Sequence, residues 1–288
     1  MGMREIYLVK FGGNALGEGG LEKLCAEAAE LQKEGISLVF VHGGGPAINA
    51  ELERRGIVPK KVAGKRITDG PTMEVVESVL RSINGDIVAA MEKAGVRCVG
   101  MPGYFVAESR KDEPMTVIDE GKEMFVDYGL TGVPVKVDAQ VIYDLVDDGV
   151  APVIYPVGSD GTQHLNVNAD TMAAAVAAAA GVKEMIAVTD VPGILRDVKD
   201  PSSKIDTVTL SQIDAMVKDG TISGGMIPKV IACRKAVEAG AESVRMVSGR
   251  TDGSIITGAI RGEPVGTLIV KGRSKRASST DQQSSFKG

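Results

Sequence analysis

Ile6-Tyr7-Leu8-Val9-Lys10-Phe11-Gly12-Gly13-Asn14 is a short apolar run that ends on paired glycines, and Leu38-Val39-Phe40-Val41-His42-Gly43-Gly44-Gly45-Pro46 repeats the arrangement. Continuous apolar runs of this length suit strands covered on both faces, as in a parallel sheet. Between them Leu21, Leu24, Cys25, Ala28 and Leu31 recur at helical spacing until Gly35 closes the helix. The alternation continues along the chain: helices over 47–55 and 71–94, a strand over 96–101, a helix over 139–148 and a strand over 151–155. Beyond them come a helix over 169–180, a strand over 184–189, helices near 210–219 and 226–239, and strands near 243–247 and 266–270. Repeated strand–helix alternation with doubly buried strands predicts an α/β fold, a three-layer α/β/α sandwich with a mainly parallel central sheet. Only residues 104–130 break the rhythm, with short alternating runs around Asp119-Glu120-Gly121-Lys122 that predict hairpin strands on the edge of the first half.

Composition narrows the function. The chain has 288 residues, enough for two lobes, and its core must be aliphatic, with five Phe, five Tyr and no Trp. No aromatic platform exists for stacking bases, and a net charge of −5 argues against non-specific nucleic-acid binding, which needs a basic face. Cys25, Cys98 and Cys233 are too few and too scattered for a disulfide framework or a zinc site, and three reduced thiols are expected. Arg4, Glu5 and Lys10 interrupt any signal-peptide core, and the longest apolar stretch, from Met172 to Val182, is too short to span a bilayer. The expectation is a cytoplasmic protein that acts on a small molecule, with no membrane partner. Residues 272–288 are rich in Ser, Gln and basic side chains and are expected to form a disordered tail.

The glycine clusters point to phosphate. Without Cβ atoms the main chain can approach an anion closely, and the N-terminus of a following helix adds partial positive charge. Gly224-Gly225-Met226-Ile227-Pro228-Lys229 reads as a third element of this kind, a glycine pair where a strand hands over to a helix, with Lys229 in the first helical turn. Lys10 lies at an apolar strand end, where a lone charge is costly unless an anion pairs with it; the alternative is a lysine that snorkels to solvent. His42 reads as a sheet-end histidine with satisfied hydrogen bonds rather than a general base. Arg66 is expected on a connection ahead of a helix opened by Thr68, Asp69 and Pro71, and suits bidentate capture of a carboxylate as well as it suits an exposed charge. Alternation through Asn166-Val167-Asn168-Ala169-Asp170 puts Asn166, Asn168 and Asp170 on one side of an extended segment, from which Asp170 could pair with two lysines. Asn and Asp are also ordinary helix caps. Thr189-Asp190-Val191-Pro192-Gly193 follows a strand at the end where open α/β sheets bind ligands, and it is equally good turn chemistry. No P-loop and no protein-kinase signature is present.

Taken together, VKFGGNAL, VHGGGPAIN, GKRITDGPTMEVV, LNVNAD, TDVPGIL and SGGMIPKV, in this order over residues 4–271, resemble the amino acid kinase family, and within it the branch that acts on N-acetyl-L-glutamate. The resemblance implies ATP-dependent phosphorylation of the γ-carboxylate of that substrate, in arginine biosynthesis. It implies an N-terminal lobe, residues 1–160, for the amino-acid substrate and for dimerisation, and a C-terminal lobe, residues 161–271, for ATP. By motif position Lys10 and Lys229 would stabilise the transferring phosphoryl group and Asp170 would orient both. Gly12, Gly13, Gly44 and Gly45 would offer backbone N–H groups, Arg66 and Asn166 would hold the substrate, and Thr189, Asp190, Val191 and Gly193 would line the nucleotide site. Mg²⁺ would arrive on ATP phosphates and water. Relatives inhibited by arginine carry an additional N-terminal helix, so a homodimer without that control is expected. A kinase of the same fold for a carrier-linked aminoadipate or glutamate, and a non-catalytic metabolite sensor, remain as alternatives.

Overall fold

Aliphatic strand segments assemble into one eight-stranded sheet. The computed structural model of the chain describes residues 5–12, 14–119 and 121–272. The sheet order is Thr207–Thr209, Thr267–Val270, Ser243–Ser248, Glu184–Thr189, Ile6–Phe11, Ser37–His42, Ala151–Tyr155 and Cys98–Pro102. Neighbours pair in parallel throughout except Ser243–Ser248 with Thr267–Val270, which run antiparallel. Helices cover both faces, as the alternation predicts. On one side Leu8, Val39 and Val41 pack with Met172, Ala173 and Val176 of helix Ala169–Ala179 and with Val230 and Ala236 of helix Met226–Ala239. On the other, Val9, Leu38 and Phe40 pack with Leu24 and Ala28 of helix Gly20–Lys33 and with Ile87 and Met91 of helix Gly70–Lys93. Burial of these strand residues removes them almost wholly from water, each at roughly 1.5–3 kcal/mol for a full side chain.

A second, four-stranded sheet stands over the carboxyl end, in the order Val157–Ser159, His164–Val167, Thr131–Val137, Ala107–Lys111. The expected hairpin is present as Met115–Asp119 paired with Lys122–Val126. Lys61–Val62, Lys65–Arg66, Thr131–Val137, Val157–Ser159, His164–Val167 and Thr207–Thr209 differ from the sequence reading and fall where no apolar run signals them. All but Thr131–Val137 have four residues or fewer, and two carry glycines that fit only through tertiary contact. Any Cβ at Gly132 would meet Arg110 O at 2.6 Å, and one at Gly158 would meet Ser109 Oγ at 2.4 Å. His164–Val167 pairs with Val157–Ser159 and Thr131–Val137, so the fold begun in residues 1–160 continues to residue 167. The expected tail lies, apart from Gly272, outside the described residues.

The two halves are tied by a buried carboxylate. Glu27 on helix Gly20–Lys33 accepts hydrogen bonds from Ile255 N, Ile256 N and Thr257 N at 2.7–2.8 Å and from Thr257 Oγ1 at 3.1 Å. One turn earlier, Lys23 Nζ donates to the carbonyls of Thr251, Asp252 and Gly253. Glu27 is 8% exposed, so water cannot replace it. Glu27→Ala strands three backbone donors and is expected to destabilise the fold by about 3–5 kcal/mol, read as a lowered urea midpoint at unchanged m value.

Candidate active site

The parallel register brings the glycine turns together. Phe11 pairs with His42 and Lys10 with both Val41 and Ala187, so Gly12, Gly43 and Asp190 leave adjacent strands at the same edge. Gly43 N donates to Phe11 O at 2.9 Å, and a Cβ at Gly43 would lie 3.9 Å from Gly12 Cα. The two turns are in main-chain contact. A Cβ on Gly12 or Gly45 would meet no atom within 4 Å, and Gly12, Gly43 and Gly44 line one cavity with Asn14 and Pro46. At Gly44 a Cβ would come within 2.9 Å of Leu80 and Ile83, so packing under helix Gly70–Lys93 demands glycine there. Gly13, a predicted donor, lies outside the described residues.

Lys10 and Asp170 form the centre. Lys10 Nζ lies 2.7 Å from Asp170 Oδ1, with the lysine side chain only 17% exposed. Strand alternation puts Lys10 on the face of Leu8, toward helix Ala169–Ala179, whose first turn carries Asp170. The predicted extended segment is absent. The strand ends at Val167, and Asn168 Oδ1 caps the helix by accepting from Asp170 N and Thr171 N. The helix starts at Ala169, as expected, so Asn168 is its cap and Asp170 its acidic first-turn residue.

Asp170 does not pair with two lysines. Lys229 Nζ donates instead to Asp190, which lies just past the Glu184–Thr189 strand, and the lysine holds that carboxyl below its usual range. The helix of Lys229 nonetheless reaches the Lys10–Asp170 pair. Cys233, one turn on, has its thiol pushed up to about 12 by burial and feels the charges of both Asp170 and Lys10. Gly224-Gly225 is a second correction: the segment follows helix Leu210–Lys218 and a turn rather than a strand, with Gly224 at φ 54°. Gly225 opens helix Met226–Ala239 with no side-chain cap, so the first-turn N–H groups there depend on other acceptors.

Arg66 sits on a two-stranded hairpin, Lys61–Val62 with Lys65–Arg66, and not on a bare connection. Ala63 at φ 47° and Gly64 at φ 78° give the tight mirror-image turn that such a hairpin requires. Lys65, bonded to Asp112, and the bonds Thr68 Oγ1 to Arg66 O and Asn166 Nδ2 to Thr68 Oγ1 fasten it to the second sheet. Arg66 is 7% exposed. Its Nη2 donates to Asn49 Oδ1 at 2.5 Å and to Gly45 O at 3.5 Å, while Nη1 is buried with no partner. A buried donor left unpaired costs about 1–3 kcal/mol or more when charged, so this geometry is made for an anion. Burial lowers the pKa of Arg66, yet a guanidinium stays charged at neutral pH.

The Thr189–Gly193 turn is bonded both within itself and to the neighbouring strand, where Gly249 N donates to Thr189 O at 2.8 Å and Thr189 Oγ1 lies 3.2 Å from Val247 O. Thr189 Oγ1 donates to Val191 O at 3.0 Å and accepts from Val191 N, and a Cβ at Gly193, φ 138°, would meet Thr267 Oγ1 at 2.6 Å. Gly193 is thus required by packing. Sequence reasoning missed Asn49 and Arg250, whose Nη2 donates to Asn14 O at 2.8 Å and braces the first glycine turn. Asn49 lies on the first turns of the helix after Gly45, where its polar side chain was a readable signal; Arg250, 236 residues from Asn14, offered none.

Comparison with known proteins follows this geometry. The profile of the amino acid kinase family matches residues 5–248. The acetylglutamate kinase of Methanococcus vannielii is 37% identical over 270 residues, 92% of each chain. Among solved structures, smu.665 from Streptococcus mutans superimposes with TM-score 0.71 at 27% identity, over 94% of this chain and 100% of that one. N-acetylglutamate synthase from Neisseria gonorrhoeae, complexed with coenzyme A and N-acetyl-glutamate, gives TM-score 0.76 at 23% identity, over 94% of this chain and 61% of that chain, and shares the fold.

Proposed function

Because this chain belongs to the amino acid kinase family, we propose that it catalyses ATP-dependent phosphorylation of the γ-carboxylate of N-acetyl-L-glutamate, a step of arginine biosynthesis. The observation that carries the reading is the buried Arg66 Nη1 without a partner, beside Gly45 and next to the main-chain contact of Gly12 with Gly43. An α-carboxylate on Arg66 directs the γ-carboxylate toward those glycines. Asn166, tethered through Nδ2 to Thr68, keeps its Oδ1 for the substrate.

The acceptor carboxylate is ionised at neutral pH, so the transfer needs no general base, in keeping with a chain that has two histidines. Catalysis then rests on in-line positioning and on cancelling charge over the phosphoryl oxygens. Lys10 supplies one ammonium, and Asp170 fixes where it points. Lys229 supplies a second when it exchanges Asp190 for phosphate, with the N–H groups of Gly12, Gly44 and Gly45 as further donors. Thr189, Asp190, Val191 and Gly193 border the nucleotide. Mg²⁺ would be carried by ATP phosphates and water. The N-terminal half binds acetylglutamate and dimerises, the C-terminal half binds ATP, and the enzyme works as a homodimer in the cytoplasm. No helix among the described residues is long and apolar enough to cross a membrane.

Hydroxylamine trapping tests this directly. Purified protein with ATP and Mg²⁺ is expected to yield hydroxamate from acetylglutamate, and far less from glutamate, aspartate or acetylaminoadipate. An absence of product from acetylglutamate would refute the proposal.

A further inference from the structure

His42 is wholly buried, on the face of its strand that looks toward helix Gly70–Lys93 and away from Lys10. Its hydrogen bonds can be assigned without ambiguity. Asn84 Nδ2 lies 2.9 Å from Val153 O, a carbonyl that only accepts, so the amide nitrogen of Asn84 is on that side. The same nitrogen lies 3.1 Å from His42 Nε2. An amide nitrogen only donates, so Nε2 is unprotonated and the ring proton is on Nδ1. Nδ1 lies 3.1 Å from Gly43 O and donates to it. Gly100 makes room for this chain, because a Cβ there would lie 2.0 Å from Asn84 Oδ1.

One consequence follows from peptide geometry. The Gly43–Gly44 peptide is planar and, with no cis bond in the described chain, trans; its C=O and N–H therefore point in opposite directions. Holding Gly43 O toward His42 turns Gly44 N–H to the other face, where Lys10 and Asp170 lie. Two glycines in succession have no side chain to hold the plane, so an unanchored Gly43–Gly44 peptide could flip and present its carbonyl to an anion. Gly44 N–H meets no protein acceptor among the described residues.

We propose that His42 is a positioning residue: through its Nδ1–H bond to Gly43 O it locks the Gly43–Gly44 peptide with the Gly44 N–H aimed at the transferring phosphoryl group. This rests on the phosphoryl-transfer reading above. His42 is neutral in this role, since burial lowers its pKa to about 4, and it exchanges no proton with substrate.

Two conservative replacements separate this role from a merely structural one. Asparagine carries an amide nitrogen near the place of Nδ1 and can donate to Gly43 O, whereas glutamine reaches the place of Nε2 and can accept from Asn84 but leaves Gly43 O free. His42→Gln is expected to lower kcat by about 100-fold, in the range for removal of one preorganised donor, with KM for acetylglutamate and ATP within about threefold. His42→Asn is expected to keep kcat within about fivefold, although both variants lower the melting temperature. Equal kcat losses in the two, or an unchanged kcat in His42→Gln, would overturn the assignment. A variant-free check is the two-bond ¹H–¹⁵N spectrum of the imidazoles, simple with only His42 and His164 present. A buried ring protonated on Nδ1 is expected, and one protonated on Nε2 would sink the proposal whether or not the variants fold. Wild-type protein without acyl-phosphate activity would instead refute the functional reading while leaving the tautomer test intact.

Discussion

Lys10→Ala is expected to lower kcat for acyl-phosphate formation by about 10²–10³-fold, or roughly 2.7–4 kcal/mol of transition-state stabilisation, with little change in KM. Lys10 is carried on a central strand buried by neighbours on both sides, and its ammonium is held 2.7 Å from Asp170 at the edge where the glycine turns meet. A lysine fixed in advance costs no reorganisation when charge develops on the phosphoryl oxygens. Asp170 prevents the ammonium from swinging to solvent, so Asp170→Asn is expected to show a smaller kcat loss of the same kind. Single-turnover measurement of the hydroxamate separates chemistry from release. A Lys10→Ala enzyme with a normal single-turnover rate would remove Lys10 from the catalytic role. Arginine is expected to be a poor replacement, because a planar guanidinium does not stand in for a compact ammonium held by Asp170.

How much of this was legible in the sequence depends on what holds each element. Strands such as Leu38–Val41 and Met185–Val188 are buried on both faces, so their apolar runs announce them. Asp69 was readable as a cap and does accept from Thr72 N. Strands Thr207–Thr209, Val157–Ser159 and His164–Val167 were not readable, because they are short, partly polar and held by pairing with distant segments, whereas Ala107–Lys111 falls within the alternating runs of 104–130. Asn168 was ambiguous between cap and ligand, and the hydrogen bonds its Oδ1 accepts from Asp170 N and Thr171 N decide for the cap. The Lys229–Asp190 pair joins residues 39 apart on different elements, and neither charge carries any local sign of the other. The unpaired Nη1 of Arg66 depends on Asn49 taking Nη2, which only the folded hairpin brings about.

That unpaired nitrogen sets up the second large effect. Arg66→Ala is expected to lower kcat/KM for acetylglutamate by about 10²–10³-fold, chiefly through KM, since a buried hydrogen-bonded charge pair is worth about 2–5 kcal/mol on truncation of one partner. The comparison that isolates the α-carboxylate uses 4-acetamidobutanoate, which is acetylglutamate without that group. Wild-type enzyme offers the analogue a buried guanidinium with nothing to bind and should reject it strongly, because an unfilled polar site penalises the smaller ligand. With Arg66→Ala the penalty disappears along with the gain, so the two acids should react with similar kcat/KM, within about threefold. Arg66→Lys should recover only part of the discrimination: a point charge can meet one carboxylate oxygen but cannot serve Asn49 Oδ1 and the ligand together as the planar fork does. If Arg66→Ala leaves the preference for acetylglutamate intact, the α-carboxylate is held elsewhere, and the orphaned nitrogen has another purpose.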